Sequence, residues 1–150
     1  MARNEETKPR LFVDADVLFA GSASPSKHSA SLLILTLSEI TLIQALTSEQ
    51  VVAEAKRNLE AKIPKALPAF QHLVSRCLMV VPDPEPEEVS PYNGLADPKD
   101  LPILVAAVRE GCTWFVTFNI RDYRPGHPEV NVLKPGEFIS RIREQLAHLR

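Results

Sequence analysis

Leu11-Phe12-Val13-Asp14-Ala15-Asp16-Val17-Leu18 runs three apolar residues straight into a carboxylate, and apolar residues resume at Val17. An acid pinned between apolar segments is costly to bury unless it is paired or binds a metal. In open α/β sheets the C-terminal end of a strand is also where ligand sites form. Residues 10–14 therefore read as a central strand that delivers Asp14 and Asp16 to a site.

Working outward, positions 29–37 are apolar nearly all round, a pattern that fits a helix or a buried strand; a helix is expected, followed by a short strand at about 40–43. Thr47 and Ser48 offer an N-cap for a helix running to about Lys62. Pro64 and Pro68 break that pattern, and a further helix covers 68–76. Leu78-Met79-Val80-Val81 is a compact strand that opens into the acidic, proline-rich loop 82–88. Asp97-Pro98-Lys99-Asp100 starts a helix that lasts to about Glu110, with Gly111 as its stop. Trp114 to Thr117 and Val130 to Leu133 are strands. A last helix from Pro135 carries Phe138, Ile142, Leu146 and Leu149 on one face. Strands alternating with helices predict an α/β fold: a single-domain α/β/α sandwich around a parallel sheet of four to five strands. Residues 1–9 read as a flexible tail and 10–150 as the domain.

Composition narrows the function classes. The chain has 150 residues, 45% hydrophobic and 24% charged, which suits one globular domain. Its net charge of −2 provides no global basic field, so a polyanion partner must be held by a local patch or by metal ions. Cys77 and Cys112, without CxxC spacing, read as buried free thiols in a reducing compartment. Met1 to Pro9 lacks the apolar core of a signal peptide, and Leu32 to Leu37 is too short to span a bilayer. A cytoplasmic location is expected. His28, His72, His127 and His148 are scattered and read as surface residues.

In a parallel sheet, acids that follow different strands can meet on one edge. Asp14 and Asp16 follow the first strand, and Asn119 and Asp122 follow the Trp114–Thr117 strand. Asp97 and Asp100 open the preceding helix, and Glu54 lies two turns into the helix that starts near Ser48. Oxygen donors without a His/Cys cluster suit Mg²⁺ or Mn²⁺ rather than zinc. Each acid also has a structural reading: Asp97 and Asp100 as helix-start acids, Glu54 as a helix-surface residue, Asp122 as a turn former.

Four stretches together resemble the PIN-domain nucleases. They are Val13-Asp14-Ala15-Asp16-Val17-Leu18, Ser48 through Glu54, the alanine-rich run from Asp100 to Ala107, and Val116-Thr117-Phe118-Asn119-Ile120-Arg121-Asp122-Tyr123. Many members carry Asn where Asp16 stands and Asp where Asn119 stands, while one branch reads Thr-Phe-Asn-x-x-Asp at this turn. The resemblance covers residues 10–145 and implies a metal-dependent ribonuclease acting on single-stranded RNA. Asp14, Glu54, Asp100 and Asp122 would be catalytic and, with Asn119, would hold Mg²⁺ or Mn²⁺. Asp16, Asp97 and Thr117 would be neighbours of the site. Lys56, Arg57, Arg121 and Arg124 would meet the RNA backbone. The products implied are a 5′-phosphate and a 3′-hydroxyl. Many small members are toxins held by an antitoxin and form dimers, so a cognate antitoxin and a second copy are the implied protein partners. Residues 30–37 could face such a partner or the core. Two alternatives stay open: a degenerate PIN domain that binds RNA or protein without cutting, and a haloacid-dehalogenase-like phosphohydrolase using Asp14 and Asp16. The latter leaves the Glu54 helix unexplained.

Overall fold

The structure is a computed structural model that describes residues 8–24 and 29–148. The tail Met1–Thr7, His28 and Leu149 lie outside the described residues. Five strands form one all-parallel sheet in the order β3-β2-β1-β4-β5. They are β1 (Arg10–Val13), β2 (Gln44–Ser48), β3 (Leu78–Val81), β4 (Trp114–Val116) and β5 (Asn131–Leu133). The helices are α1 (Ala15–Ala23), α2 (Ala30–Glu39), α3 (Glu49–Lys62), α4 (Leu67–Cys77), the single turn α5 (Pro86–Val89), α6 (Leu101–Arg109) and α7 (Pro135–Ala147). Helix α1 packs on α2, α3 and α4, and α7 packs on α2; α6 packs over β2 with α5 against it. The chain is the α/β/α sandwich expected from its alternation.

β1 is central because its residues tolerate no water on either side: Leu11, Phe12 and Val13 are fully buried. Phe12 pairs in register with Phe115 of β4, and their rings stack at 5.4 Å. This pairing sets β4 beside β1 and brings the chain after Val116 next to Asp14.

Four local expectations need correction. Residues 40–43 are a turn, with Thr41 at φ 66°, and Ile40 and Leu42 are exposed. The strand begins instead at Gln44, whose N–H donates to Pro9 O as Arg10 pairs beside it. Asp97 does not open the helix by capping it. Residues 98–100 form a turn, α6 starts at Leu101, and Pro102 stands in its first turn. The loop 82–88 is partly ordered: Pro86 begins α5, and Asp83 Oδ1 accepts the Gln50 N–H at the start of α3. On α7, Phe138 is buried and Ile142 half-buried, but Leu146 is exposed. The Ala30–Glu39 helix is core on one side and open on the other. Ile34 and Leu35 are core, while Leu33 and Leu37 line a shallow apolar cleft with Ile139, Ile142 and Leu146. Cys77 and Cys112 are free and buried, as expected. Among the described residues, no helix is long and apolar enough to cross a membrane.

Candidate active site

Asp14 stands where β1 becomes α1, and its own N–H extends the sheet by donating to Val116 O at 3.1 Å. Asp14 is 6% exposed, and its carboxylate takes three donors. Oδ1 accepts the Ala15 N–H at 2.8 Å, capping α1. Oδ2 accepts the Thr117 hydroxyl at 2.8 Å and the Tyr123 phenol at 3.0 Å. Burial nevertheless dominates and raises the Asp14 pKa. The three hydrogen bonds pull it back, and the Asp122 charge pushes the same way as burial.

Thr117 is fully buried directly after β4, so its hydroxyl position is set by the sheet. Asp16 Oδ2 also lies 3.3 Å from that hydroxyl, but one proton serves one acceptor, and the shorter bond goes to Asp14. Asp16 Oδ2 is held instead by the Phe118 N–H at 3.0 Å and the Asn119 side-chain amide at 3.1 Å. Thr117 Oγ1 in turn accepts the Asn119 N–H at 3.0 Å. The loop after β4 thus grips both acids of β1's exit. Asp16 is pushed up to about 6, first by burial and then by the neighbouring Asp14 charge.

Asp100 immediately precedes α6, yet its side chain makes no capping bond to the helix. It is 8% exposed, and its Oδ2 is buried without a hydrogen-bond partner. Asp16 Oδ1 is the other buried oxygen left bare among the described residues. Burial, then the Asp14 charge, pushes Asp100 up to about 6; Asp122 and Asp97 add to this and Lys99 opposes it. Glu54, half-buried on α3, is raised by burial and then by Asp14, against Lys99 and Arg57. Asp122 lies in the 3-10 turn Ile120–Tyr123, and its backbone carbonyl accepts the Asp97 N–H at 2.8 Å, tying the two acidic loops together. Asp97 itself is exposed and spends its Oδ1 on the Lys99 N–H at 3.2 Å.

The structure therefore brings Asp14, Asp16, Glu54, Asp100 and Asp122 into one electrostatic neighbourhood centred on Asp14. Asp97 stays at its rim. Lys56 and Arg57 are exposed on α3, and Arg121 and Arg124 are exposed beside Asp122. Two contributors are absent from the sequence reading. Tyr123 gave one signal: a buried phenol needs a partner for its hydroxyl. Burial, then Asp14, raises its pKa far beyond its usual value, which keeps it a proton donor. Lys99 gave no signal beyond its position between two acids.

Hard divalent cations suit this donor set. Buried carboxylate oxygens with no donor, crowded by like charges, want a cation between them. Among the described residues, no three acids, histidines or cysteines stand close enough to grip an ion together. Mg²⁺ does not require that, since it keeps several waters and uses one or two carboxylates. A cleft of about 550 Å³ near Lys8, Arg10 and Arg76 lies at the strands' N-terminal ends, away from the acids.

The PIN-domain family model matches residues 10–121. The chain belongs to the PIN-domain family. With that match the haloacid-dehalogenase alternative falls away. No curated protein matches the chain in sequence. Among solved structures, this PIN domain is similar to VapBC2 from Rickettsia felis, solved bound to a DNA fragment from its promoter. The TM-score is 0.60 at 16% identity, covering 83% of this chain and 98% of that one. It is also similar to PAE2754 from Pyrobaculum aerophilum, at TM-score 0.62 and 20% identity, over 92% of this chain and 99% of that one. Such low identities speak for the shared fold.

Proposed function

We propose that this PIN domain is a divalent-metal-dependent endoribonuclease that hydrolyses single-stranded RNA. The observation that carries the reading is the Asp14-centred acid group in which Asp16 Oδ1 and Asp100 Oδ2 are buried with no donor. Keeping such oxygens bare is a cost in stability that a structural role does not repay. Asp14, Glu54, Asp100 and Asp122 would hold Mg²⁺ or Mn²⁺ between them, one or two carboxylates directly and the others through the ion's waters. When bound, the ion supplies an acidified water and neutralises charge on the scissile phosphate. Thr117 and Tyr123 fix the Asp14 carboxylate, and Asn119 serves by holding Asp16. Lys56, Arg57, Arg121 and Arg124 meet the RNA backbone. Water adds at phosphorus as the 3′ oxygen departs, leaving a 5′-phosphate and a 3′-hydroxyl.

Analysis of the product ends tests this. Fragments with 5′-phosphate and 3′-hydroxyl ends, lost in EDTA, are expected. Cyclic 2′,3′-phosphate ends would reject the mechanism, because they mark attack by the ribose hydroxyl. Asn119, standing where many members carry an acid, favours one other reading, a binding module that does not cut. Metal binding by a folded protein that leaves every RNA intact would point there. The likeness to a VapBC2 structure supports a role as the toxin of a toxin–antitoxin pair, and the buried free thiols of Cys77 and Cys112 suit a reducing cytoplasm. The apolar cleft between α2 and α7 is where we place a contact with an antitoxin or a second copy.

A further inference from the structure

Beside the acids lies a cleft of about 590 Å³ whose walls include Phe118, Arg121, Asp122, Arg124, Lys134 and Glu137. Phe118 is 46% exposed although both its neighbours are engaged. Thr117 is bonded to Asp14, and the Asn119 amide to Asp16. The Phe118 N–H is itself fastened to Asp16 Oδ2 at 3.0 Å. The ring is thus carried on a backbone that the acids hold in place, yet it lies open to water. It stacks on no other ring and sits under no cation among the described residues, whereas Phe12, Phe115, Trp114 and Tyr92 all have ring partners.

Arg121 and Arg124 are exposed and form no ion pair among the described residues. Lys134 adds a third cation. These three cations outnumber the cleft's two acids, Asp122 and Glu137, and Glu137 Oε1 accepts the Lys134 N–H at 2.9 Å. A flat aromatic face next to unpaired cations, in a volume suited to a small ligand, matches a nucleotide: base on the ring, phosphate on the cations.

We infer that this cleft is a nucleotide subsite of the nuclease, in which Phe118 stacks on one base of single-stranded RNA while Arg121, Arg124 and Lys134 hold its phosphate. The inference rests on the ribonuclease reading and adds the side of the acid cluster on which the strand lies. Stacking needs an unpaired base, so the subsite also selects single strands over duplexes.

Fluorescence anisotropy with a labelled, unstructured oligoribonucleotide in EDTA tests it, with KM measured in Mn²⁺ as a second readout. Phe118→Ala should weaken binding about 5- to 100-fold, and Phe118→Trp should restore it. Arg121→Ala combined with Arg124→Ala should flatten the dependence of log affinity on log salt by up to about 0.7, the value for one lost phosphate contact. The ring is exposed, so thermal midpoints should match the wild type. If wild-type protein cuts RNA while Phe118→Ala leaves affinity and KM within twofold, the subsite is wrong and the nuclease stands. If wild-type protein neither binds nor cuts RNA, both fail.

Discussion

Asp14 is a buried carboxylate that three donors cannot fully compensate, and its neighbours share the difficulty. Asp16 and Asp100 are each pushed up to about 6 from an ordinary value of 3.8. A carboxyl whose pKa is higher folded than unfolded binds protons preferentially in the native state. Its contribution therefore turns against folding as pH rises from about 4 to about 6 and stays unfavourable above that. Asp100→Asn should accordingly raise the melting temperature of the metal-free protein at pH 7.5, by about 2–4 °C per kcal/mol gained, with the gain shrinking toward pH 4. A melting curve at pH 7.5 that falls in Asp100→Asn would contradict this. Tyr123→Phe works in the opposite sense, because it strips a donor from a buried charged acceptor. About 1.5–3 kcal/mol of stability should be lost in urea titrations. The carboxylates were legible in the sequence because an acid among apolar residues stands out. Tyr123 and Lys99 were not, because their roles arise only once distant turns are brought against Asp14.

Elements place these residues by modest local devices. Ser48 ends β2 and caps α3, its Oγ accepting the Val51 N–H at 3.4 Å, and α3 carries Glu54 one and a half turns later. That bond is long, so Ser48→Ala should cost toward the low end of the usual range, about 0.5–1 kcal/mol, seen as a small drop in denaturation midpoint. A loss above 3 kcal/mol would mean that Ser48 does more than cap. Helix ends at Lys62 and Gly111 could be read from proline and glycine. The position of β2 could not. Gln44-Ala45-Leu46-Thr47-Ser48 lacks a β-branched run, and it is a strand because Thr47, fully buried, donates its hydroxyl to Val13 O and because β1 and β3 flank it. The start of α6 was misplaced for a related reason. Asp97-Pro98 has the composition of a cap, but its backbone carbonyl accepts from Asp100 and Leu101 in a turn that presents Asp100 to the site. Here local chemistry and tertiary use diverge, and the divergence falls at a candidate metal ligand.

On the scale of the whole molecule, the alternation of strands and helices was sufficient to foresee a parallel sheet with its acids at one edge. The order β3-β2-β1-β4-β5 explains why four sequence-distant segments converge there. That convergence accumulates negative charge, which Lys99 and Arg57 oppose among the described residues. Mn²⁺ should therefore stabilise the folded chain, by about 2.7 kcal/mol at 100-fold excess over Kd, and EDTA should reverse it. Calorimetric melts with and without Mn²⁺ measure this, and no shift at millimolar Mn²⁺ would count against a metal site. The most direct single measurement is the Mn²⁺ dependence of single-stranded RNA cleavage by the wild type and by Asp14→Asn. Cleavage that saturates with Mn²⁺ in the wild type and disappears in folded Asp14→Asn is predicted. Undiminished cleavage by Asp14→Asn would contradict the account.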